Sequence, residues 1–337
     1  MDKIFPCFLV FLFFFVSCTE SYDVKSFEAM NTFMTVKSYG KNARKANLLV
    51  KERIEELENK ISVTKEGSDV FKLNSGGGKN LSVSEDTFFL LQYGLSFYEK
   101  SGEALNPALY PVIKEWGFTT GNYKIPEIKV IKDLLRNTDF SKVKIHEENN
   151  ERYVSVPENM QLDFGAFGKG YAGDLAVKIL KEAGIKSGIL DLGGNVQALG
   201  KKPDGSEWKV GVKSPFTGNA VIALNVADCA VITSGGYERY FTGEDGKKYI
   251  HIFDSKTGFP VQNECAGVTV VTSSGLYGDS LSTTLFVKGK EGAHDFWKKY
   301  GDFDFIFITT DNELYYSSGL ENKISVIGEF KRIQVLR

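Results

Sequence analysis

The sequence predicts an α+β fold in which helices pack against antiparallel sheets. Three segments space their apolar residues three and four apart, as amphipathic helices do, and the long stretches between and after them alternate strand-like runs with turns. Strands that follow one another without a helix pair as antiparallel neighbours, whereas a doubly wound parallel sheet needs a crossover helix after each strand. The pattern therefore favours α+β over a doubly wound fold.

The composition is that of an ordinary globular protein with a sizeable core. Of 337 residues, 42% are hydrophobic and 25% are charged, which excludes generalised disorder. The 41 Lys and Arg residues nearly balance the 43 Asp and Glu residues, so the formal net charge is -2. Binding to nucleic acid needs clustered positive charge, which the sequence lacks, so no nucleic-acid partner is predicted.

The first residues are typical of an export signal. Lys3 precedes an almost wholly apolar run, Ile4–Val16, that is shorter than the roughly 18 residues needed to cross a bilayer. The run ends at Ser17 and Cys18, a pair that resembles the lipidation motif of bacterial lipoproteins. We therefore expect a signal peptide over 1–17 and a lipid on Cys18. An ordinary cleaved signal and a membrane-spanning anchor are the alternatives.

This interpretation divides the rest of the chain into a tether and a domain. Residues 18–27 would form a short polar tether, and 28–337 a folded domain. The protein is then expected to be an exported bacterial lipoprotein, anchored to a lipid bilayer through Cys18 and facing the periplasm. Cys229 and Cys265 would be the thiols of the folded body, and the sequence leaves open whether they pair.

The predicted helices have recognisable ends. The first covers Ala43–Ile61. The second is capped by Ser84 and closes near Gly102, because Ser before the first turn and Gly after the last are common helix boundaries. The third covers about Lys169–Ala183, with a glycine as its stop.

Strands are predicted where β-branched and aromatic residues cluster between turn residues. The predicted strands are Thr32–Tyr39, Arg152–Val156, Gly188–Leu192, Trp208–Val212, Val221–Val226, Tyr249–Phe253, Val268–Val271 and Phe303–Thr309.

A glycine-rich segment, Leu162–Asp174, follows a strand-like run and leads into the third helix. Glycines allow the backbone to approach a ligand closely, and the free amides at a helix start attract phosphate. Lys169 would add a positive charge there. The spacing fits neither the Walker A pattern nor the dinucleotide fingerprint, so a simple tight loop is the alternative interpretation.

A second polar group follows Gly278. If a helix begins near Asp279, the Asp279 carboxylate and the Thr283 hydroxyl lie four residues apart on one helix face. Two oxygen ligands in that arrangement suit a hard cation such as Mg²⁺. The alternative is that Asp279 only caps the helix.

His251 stands in a strand-like run ahead of the Gly258–Pro260 turn. Strand alternation would put it on the same face as Tyr249 and Phe253, so a structural role is one interpretation. A functional role is the other. Trp116 is predicted to be a core residue.

These segments resemble, in order, those of the ApbE family of flavin transferases. The resemblance extends from about residue 27 to 290. Each of the eight matching segments is only weakly specific for the family, but eight of them in the family's order are a specific match. It implies an α+β fold similar to a duplicated T-fold, with the active site in a cleft. The matching segments are Met30–Thr32, Ser68–Asn74, Asn106–Pro111 with Trp116–Phe118, Asp163–Asp174, Asp191–Gly194, Thr233–Gly235, His251–Pro260 and Asp279–Val287.

The resemblance implies a Mg²⁺-dependent enzyme, an FAD:protein FMN transferase. Members bind FAD and move its FMN half onto a threonine of an acceptor protein, releasing AMP. By resemblance, Mg²⁺ would be held by the Ala166 carbonyl, the Asp279 carboxylate and the Thr283 hydroxyl. The positions implied for FAD are Met30, Thr64, Ala104, Leu105, Asn106, Asp163, Lys169 and Ile252.

Transfer of FMN requires a protein that receives it and a base that accepts the threonine proton. The family suggests threonine-bearing acceptors such as subunits of Rnf-type or sodium-pumping quinone reductases. We take His251 as the group that removes the threonine proton, so His251 and Asp279 are the predicted catalytic residues.

Three positions depart from the family pattern. Asn106 replaces an Asp, and Ser282 stands where many members have another Asp near the metal, so one or two cations remain possible. Thr64 replaces a Tyr that stacks on the flavin, which should weaken retention of intact FAD. Hydrolysis of FAD to FMN and AMP is therefore one alternative activity. A non-catalytic lipoprotein that carries FAD is another, although a carrier has little need of the Asp279 and Thr283 pair.

Overall fold

The computed structural model describes residues 21–337. The predicted signal peptide and the predicted lipidation site at Cys18 lie outside the described residues. Within them, no helix has the length and apolar character needed to span a membrane. The helices are α1 Ala43–Ile61, α2 Asp69–Ser75, α3 Glu85–Ser101, α4 Tyr110–Glu115, α5 Ile128–Leu135, α6 Gly168–Glu182 and α7 Gly275–Tyr300.

Many of the strands follow one another along the chain without a helix between them. They are β1 Tyr22–Ala29, β2 Thr32–Tyr39, β3 Asn80–Ser82, β4 Lys144–Glu148, β5 Glu151–Ser155, β6 Ser187–Leu192, β7 Asn195–Leu199, β8 Trp208–Lys213, β9 Ala220–Val226, β10 Cys229–Gly235, β11 Tyr240–Thr242, β12 Lys248–Ile250, β13 Cys265–Thr272, β14 Asp304–Thr309, β15 Glu313–Ser317, β16 Ile324–Val326 and β17 Arg332–Leu336.

Nine strands form the main sheet, in the order β1-β2-β6-β7-β10-β13-β14-β15-β17. Neighbouring strands are antiparallel except for the last pair, β15 and β17. Three smaller sheets have the orders β16-β9-β8, β3-β5-β4 and β11-β12. The predicted α+β class with antiparallel sheets is confirmed.

The predicted helices are present with nearly the predicted ends. α1 coincides with its predicted range, and α6 begins one residue earlier than expected. At the start of α3, the Ser84 side chain accepts a hydrogen bond from the Thr87 N–H, and Gly102 ends the helix in the left-handed conformation with φ 64°. Local capping chemistry therefore decides these ends.

The first strand shortens the predicted tether. Tyr22–Ala29 pairs along its whole length with β2, and Phe27 and Ala29 are buried. Of the predicted tether 18–27, the residues from Tyr22 onward thus belong to the folded domain. The other side of the strand is polar and exposed, which is why the segment looked like a linker.

The main sheet lies between two layers. Helices α1, α6 and α7 cover one face, where Met34 and Val268 are fully buried. The three-stranded sheet β8-β9-β16 covers the other face, where Trp208 packs in the same buried cluster as Val231 and Val271. Both faces of the central strands are therefore buried, and this makes them a rigid base for the site at their ends.

A separate aromatic cluster surrounds Trp116, which is fully buried as predicted. Its ring lies 5.2 Å from that of Tyr249 and 5.9 Å from that of Phe253, centroid to centroid. The indole Nε1–H donates to the Gly258 carbonyl at 3.0 Å. The cluster thus fixes the chain on both sides of His251.

The two cysteines of the domain are free thiols. Cys229 begins β10 and Cys265 begins β13, and these strands are antiparallel neighbours with Ala230 opposite Thr272. The thiols therefore lie at opposite ends of the pair, too far apart for a disulfide.

Candidate functional site

Two hairpin turns lie side by side at one end of the strands of the main sheet. Met30 and Asn31 join β1 to β2 with φ of 50° and 56°, and Gly193 and Gly194 join β6 to β7, also with positive φ. Because β2 pairs with β6, the turns are adjacent, and a Cβ on Gly193 would lie 2.2 Å from Thr32 Oγ1. A two-residue turn of this type suits Asn and Gly, so Met30 holds a conformation that non-glycine residues adopt rarely.

Close contact between α6 and α7 explains the glycine-rich segment. A Cβ on Gly170 would lie 2.2 Å from the Gly275 carbonyl oxygen, and one on Gly173 would lie 2.1 Å from Gln197 Nε2. Gln197 Nε2 also donates to the Gly170 carbonyl at 3.3 Å. Gly170 lies inside α6 and lets α7 approach, and Gly173 makes room there for the Gln197 side chain of β7, so the simple loop predicted for the segment is wrong at these two positions.

Asp174, at the end of the same segment, caps the start of α7. Its Oδ2 accepts hydrogen bonds from Ser274 Oγ at 2.8 Å and from the Leu276 N–H at 3.0 Å, and its Oδ1 accepts from the Gly275 N–H. Asp279 lies in the second turn of α7, so the capping role considered for it is wrong.

The Asp279 carboxylate is buried and faces the first turn of α6. Its Oδ2 accepts a hydrogen bond from the Gly170 N–H at 2.8 Å. Gly170 lies in the first turn of α6, where backbone N–H groups have no partner inside the helix, and the Ala166 carbonyl lies before the helix start. Within residues 21–337, no backbone N–H bonds to that carbonyl, and Asp279 Oδ1 and the Thr283 hydroxyl also make no hydrogen bond. Three oxygens predicted to bind the metal are thus left without a protein partner.

The charges around Asp279 indicate a functional site rather than an ion pair. The pKa of Asp279 is raised to about 6, mainly by burial and also by the charge of Asp174, while Lys169 and the Gly170 N–H oppose the shift. Lys169 makes no ion pair or hydrogen bond with any described side chain. Its charge also lowers the pKa of His251, so Lys169 lies close enough to act on both predicted catalytic groups.

His251 follows β12 and is held by one backbone carbonyl. The Arg239 carbonyl oxygen lies 3.1 Å from His251 Nδ1 and accepts the His251 backbone N–H at the same distance. Because a carbonyl only accepts, Nδ1 carries the proton and Nε2 is left as an acceptor. The pKa of His251 is lowered to about 4, mainly by burial and also by the charges of Arg239 and Lys169, while the hydrogen bond to the Arg239 carbonyl opposes the shift. The imidazole is therefore neutral at pH 7.

Asp163 is hydrogen-bonded to the turn that begins at Asn106. The Asp163 N–H donates to the Pro107 carbonyl at 2.9 Å, and Asp163 Oδ1 accepts from the Gly165 N–H at 2.8 Å. Burial raises the pKa of Asp163. The Asn106 side chain accepts from the Ala108 N–H and donates to the Thr138 carbonyl, both at 2.9 Å. Asn106 therefore uses its amide to hold this turn.

Three residues predicted to bind FAD have side chains turned into the protein. Ala104, Leu105 and Ile252 are buried, and Leu105 and Ile252 belong to the main hydrophobic core. The Ile252 carbonyl accepts the Val261 N–H at 2.9 Å. Only the backbone of these residues is available to a ligand.

Thr64 lies on the exposed loop between α1 and α2. The end of α1 touches the start of α6, because a Cβ on Gly168 would lie 3.1 Å from Ile61 Cδ1. The Thr64 hydroxyl is 3.2 Å from Ser62 Oγ. Thr64 is therefore at the rim of the α6 end of the site and presents no aromatic ring there.

The open oxygens fit a hard cation. Within residues 21–337, no three His, Cys, Asp or Glu side chains come together in an arrangement that could hold a metal ion. The donors near Asp279 are instead one carboxylate, one hydroxyl and one backbone carbonyl. This set suits Mg²⁺ together with water or phosphate oxygens, and it does not suit Zn²⁺ or copper.

Two cavities lie away from these residues. One of about 530 Å³ is bounded by α1 and α6 and includes Leu49 and Arg53. The other, of about 320 Å³, is lined by residues of α6 and β7 and includes Cys229. Neither contains a residue predicted to bind FAD or the metal.

Asp174, Gln197 and Arg239 also position the site, although none of them was predicted from the sequence. Asp174 was the last residue of the glycine-rich segment, and its carboxylate could have suggested a cap. The partners of Gln197 and Arg239 are far away in the chain or are backbone carbonyls. No local pattern identifies such contacts.

Comparison with known proteins supports one family. The model of the ApbE family matches residues 30–307. The chain is 32% identical over 292 residues to an FAD:protein FMN transferase of Treponema pallidum, covering 81% of this chain and 80% of the relative. It is 33% identical over 268 residues to one from Klebsiella pneumoniae, covering 79% and 82%.

Solved structures show the same fold. The ApbE protein of Thermotoga maritima superposes with a TM-score of 0.84 at 26% identity, over 92% of this chain and all of that one. The apo form of the flavinyl transferase ApbE of Pseudomonas stutzeri superposes with a TM-score of 0.77 at 27% identity, over 86% and 92%.

Proposed function

The chain belongs to the ApbE family, and from this premise we propose that it is a Mg²⁺-dependent FAD:protein FMN transferase. It is an enzyme of the transferase class. In the proposed reaction, the FMN half of FAD moves to a threonine hydroxyl of an acceptor protein, and AMP is released.

The observation that carries the proposal is the group of open oxygens beside an unpaired cation. Asp279 Oδ1, the Thr283 hydroxyl and the Ala166 carbonyl have no partner among the described residues, and the Lys169 ammonium has none either. A binding site for a metal and a pyrophosphate needs both features, because oxygens hold the cation and an ammonium offsets phosphate charge.

Asp279, Thr283 and Ala166 would hold the Mg²⁺. When bound, Mg²⁺ would neutralise charge on the pyrophosphate and stabilise the departing AMP. The Gly170 N–H orients the Asp279 carboxylate so that its other oxygen stays available. Lys169 would sit against the phosphate oxygens, since its charge acts on both Asp279 and His251.

His251 Nε2 would take the threonine proton. The hydroxyl oxygen forms a bond to the phosphorus of the FMN half while the bond from that phosphorus to the AMP oxygen breaks. The Arg239 carbonyl keeps the proton on Nδ1, so Nε2 has the free lone pair that this step needs. We place the flavin nucleotide between Met30, Asp163 and the backbone of the residues around Asn106 and Ile252.

Hydrolysis of FAD to FMN and AMP is a second candidate. Thr64 is exposed and carries no ring on which the flavin could stack. FAD would therefore be held less firmly, and water could take the place of the threonine hydroxyl. Both reactions would use the same metal and break the same bond.

The acceptors and the location of the protein follow the same proposal. We propose threonine-bearing acceptors such as subunits of Rnf-type or sodium-pumping quinone reductases, and a lipid on Cys18 that holds the enzyme at a membrane facing the periplasm. Mass spectrometry of the mature N-terminus tests the anchor, because a diacylglycerol-modified cysteine is expected at position 18 as the first residue.

A time course with FAD and Mg²⁺ tests the proposed function. FAD, FMN and AMP are separated chromatographically, first without an acceptor and then with a threonine-bearing domain of a sodium-pumping quinone reductase subunit. Covalent flavin on that domain with stoichiometric AMP supports the transferase. Free FMN without acceptor supports hydrolysis. FAD that remains bound and intact in both reactions would show that the protein is a carrier.

The low pKa of His251 predicts a specific loss of stability in acid. The unfolded chain binds a proton at His251 below its ordinary pKa near 6.5, whereas the folded chain resists it until about pH 4. The free energy of unfolding should therefore fall as the pH drops from 6.5 towards 4, by about 1–2 kcal/mol at pH 5. Urea denaturation of wild type and His251→Gln at pH 7 and pH 5 isolates this contribution. An equal loss of stability in both proteins would contradict it.

Restoring the ring at position 64 should tighten FAD binding. Thr64→Tyr adds a flat aromatic surface at the rim, and one stacking contact contributes about 1 kcal/mol, or roughly fivefold in Kd. Quenching of flavin fluorescence measures the Kd, and Thr64→Ala is the matched control because it removes the hydroxyl without adding a ring. If both variants bind FAD as wild type does, the flavin does not reach this loop.

A further inference from the structure

The hairpin β11-β12 forms a two-stranded sheet of its own immediately before His251. Tyr240 pairs with Ile250, and Thr242 with Lys248. The Gly243 N–H donates to the Lys247 carbonyl at 2.9 Å, and the His251 N–H donates to the Arg239 carbonyl at 3.1 Å. These two bonds flank the pairs on their outer sides, which makes both pairs non-hydrogen-bonded pairs of the antiparallel ladder.

The backbone groups of such pairs point away from the partner strand. Those of Lys248 and Ile250 therefore face outward from β12, and those of Tyr240 and Thr242 face outward from β11. No hydrogen bond within residues 21–337 reaches the N–H or C=O group of any of these four residues. An unpaired strand edge of this kind is a template for an added strand.

Of the two unpaired edges, the one on β12 belongs to the strand that leads directly into His251, the predicted base. Neighbouring strands lie about 4.8 Å apart, so a strand added to β12 would run beside Lys248 and Ile250 and end next to His251. Beyond His251 the chain is already paired, since the Ile252 carbonyl accepts the Val261 N–H and Phe253 bridges to Pro260. A strand added to β11 would be one strand further away. Tyr240 is 42% exposed on the same hairpin, and the Lys248 ammonium lies 4.5 Å from the centre of its ring. An added strand would therefore find side-chain contacts as well as backbone groups.

We propose that the acceptor protein docks by adding an extended, threonine-bearing segment to the outer edge of β12. This inference rests on the proposed transferase function. Backbone pairing with Lys248 and Ile250 sets the register of the segment and brings its threonine hydroxyl to His251 Nε2. Recognition through the backbone needs only an extended segment with a threonine at the right position, so acceptors of different sequence can be used.

Proline substitution tests the edge directly. Lys248→Pro removes one outward N–H and no bond of the hairpin ladder, and Lys248→Ala is the matched control that keeps this N–H. Thr242→Pro makes the same change on the edge of β11. With the sodium-pumping quinone reductase domain as acceptor, we expect the KM for acceptor to rise about fivefold in Lys248→Pro only, with kcat and FAD affinity unchanged.

Hydrogen exchange gives a second test that needs no substitution. An acceptor domain whose threonine is changed to valine is added to the full-length protein with FAD and Mg²⁺. The amides of Lys248 and Ile250 should become protected, whereas those of Tyr240 and Thr242 should not.

The outcomes separate this inference from the proposed function. If wild type transfers no flavin to the domain, the proposed function fails. If it does transfer flavin, but Lys248→Pro has the KM of Lys248→Ala or the β12 amides stay unprotected, docking at this edge is wrong. An effect of Thr242→Pro alone would also overturn it, because the segment would then lie on β11.

Discussion

Replacing Asp279 with alanine should reduce FAD cleavage by about two orders of magnitude or more, with or without an acceptor. The substitution removes the one carboxylate among the three open oxygens, so the remaining hydroxyl and carbonyl hold a cation weakly. FAD binding should fall much less, because Lys169 and the rest of the nucleotide site stay in place. The rate of AMP release at increasing Mg²⁺ measures the effect, and very high Mg²⁺ should restore part of it.

Two further variants make this result interpretable. Asp295→Ala removes an exposed carboxylate from the same helix, α7, and should leave the rate unchanged. Asp279→Asn keeps an oxygen but loses the charge, so it should fall between wild type and alanine. If Asp279→Ala keeps more than a tenth of the wild-type rate while folding normally, the carboxylate does not hold the metal.

Local patterns predicted three of the seven described helices, α1, α3 and α6, and part of the site. The caps at Ser84 and Gly102 are interactions within a few residues, so the sequence alone contains them. The same is true of the spacing of Asp279 and Thr283, because any helix places residues four apart on one face. The resemblance to a family then supplied the ligands that no local pattern contains, such as the Ala166 carbonyl.

Contacts between distant segments were beyond local reasoning. The Gly170 N–H bonds to Asp279, which is 109 residues away, and Asp174 caps a helix that begins 101 residues later. A glycine-rich run before a helix looks the same whether it approaches a ligand or another helix. Here an alanine at Gly170 would collide with the backbone of α7, and one at Gly173 would collide with the Gln197 side chain of β7.

Strands with one polar face were also hard to predict. β1 buries Phe27 and Ala29 but exposes polar side chains such as Glu28, so its alternation resembled a polar linker. Residues Thr233–Gly235, one of the segments that resemble the family, form the end of β10. Their small side chains fit a central strand that is covered by α7. Burial by tertiary neighbours, rather than propensity, determines both cases.

Alanine at Gly170 should destabilise the protein and also inactivate it. The added Cβ would lie 2.2 Å from the Gly275 carbonyl oxygen and 2.7 Å from Asp279 Cβ. Backbone atoms cannot move aside as a flexible side chain does, so α6 and α7 must separate. We expect a loss of about 3 kcal/mol in the free energy of unfolding, which is typical of overpacking. Chemical denaturation measures this loss.

The functional effect of Gly170→Ala follows from one hydrogen bond. Separating the helices breaks the bond from the Gly170 N–H to Asp279 Oδ2, so the carboxylate is no longer held in position. At temperatures where the variant is still folded, FAD cleavage should therefore need more Mg²⁺ than in wild type. Gly67→Ala is the matched control, because its Cβ meets no atom within 4 Å and Gly67 has no positive φ. If Gly170→Ala is as stable as Gly67→Ala, the helices are not in the close contact that orients Asp279.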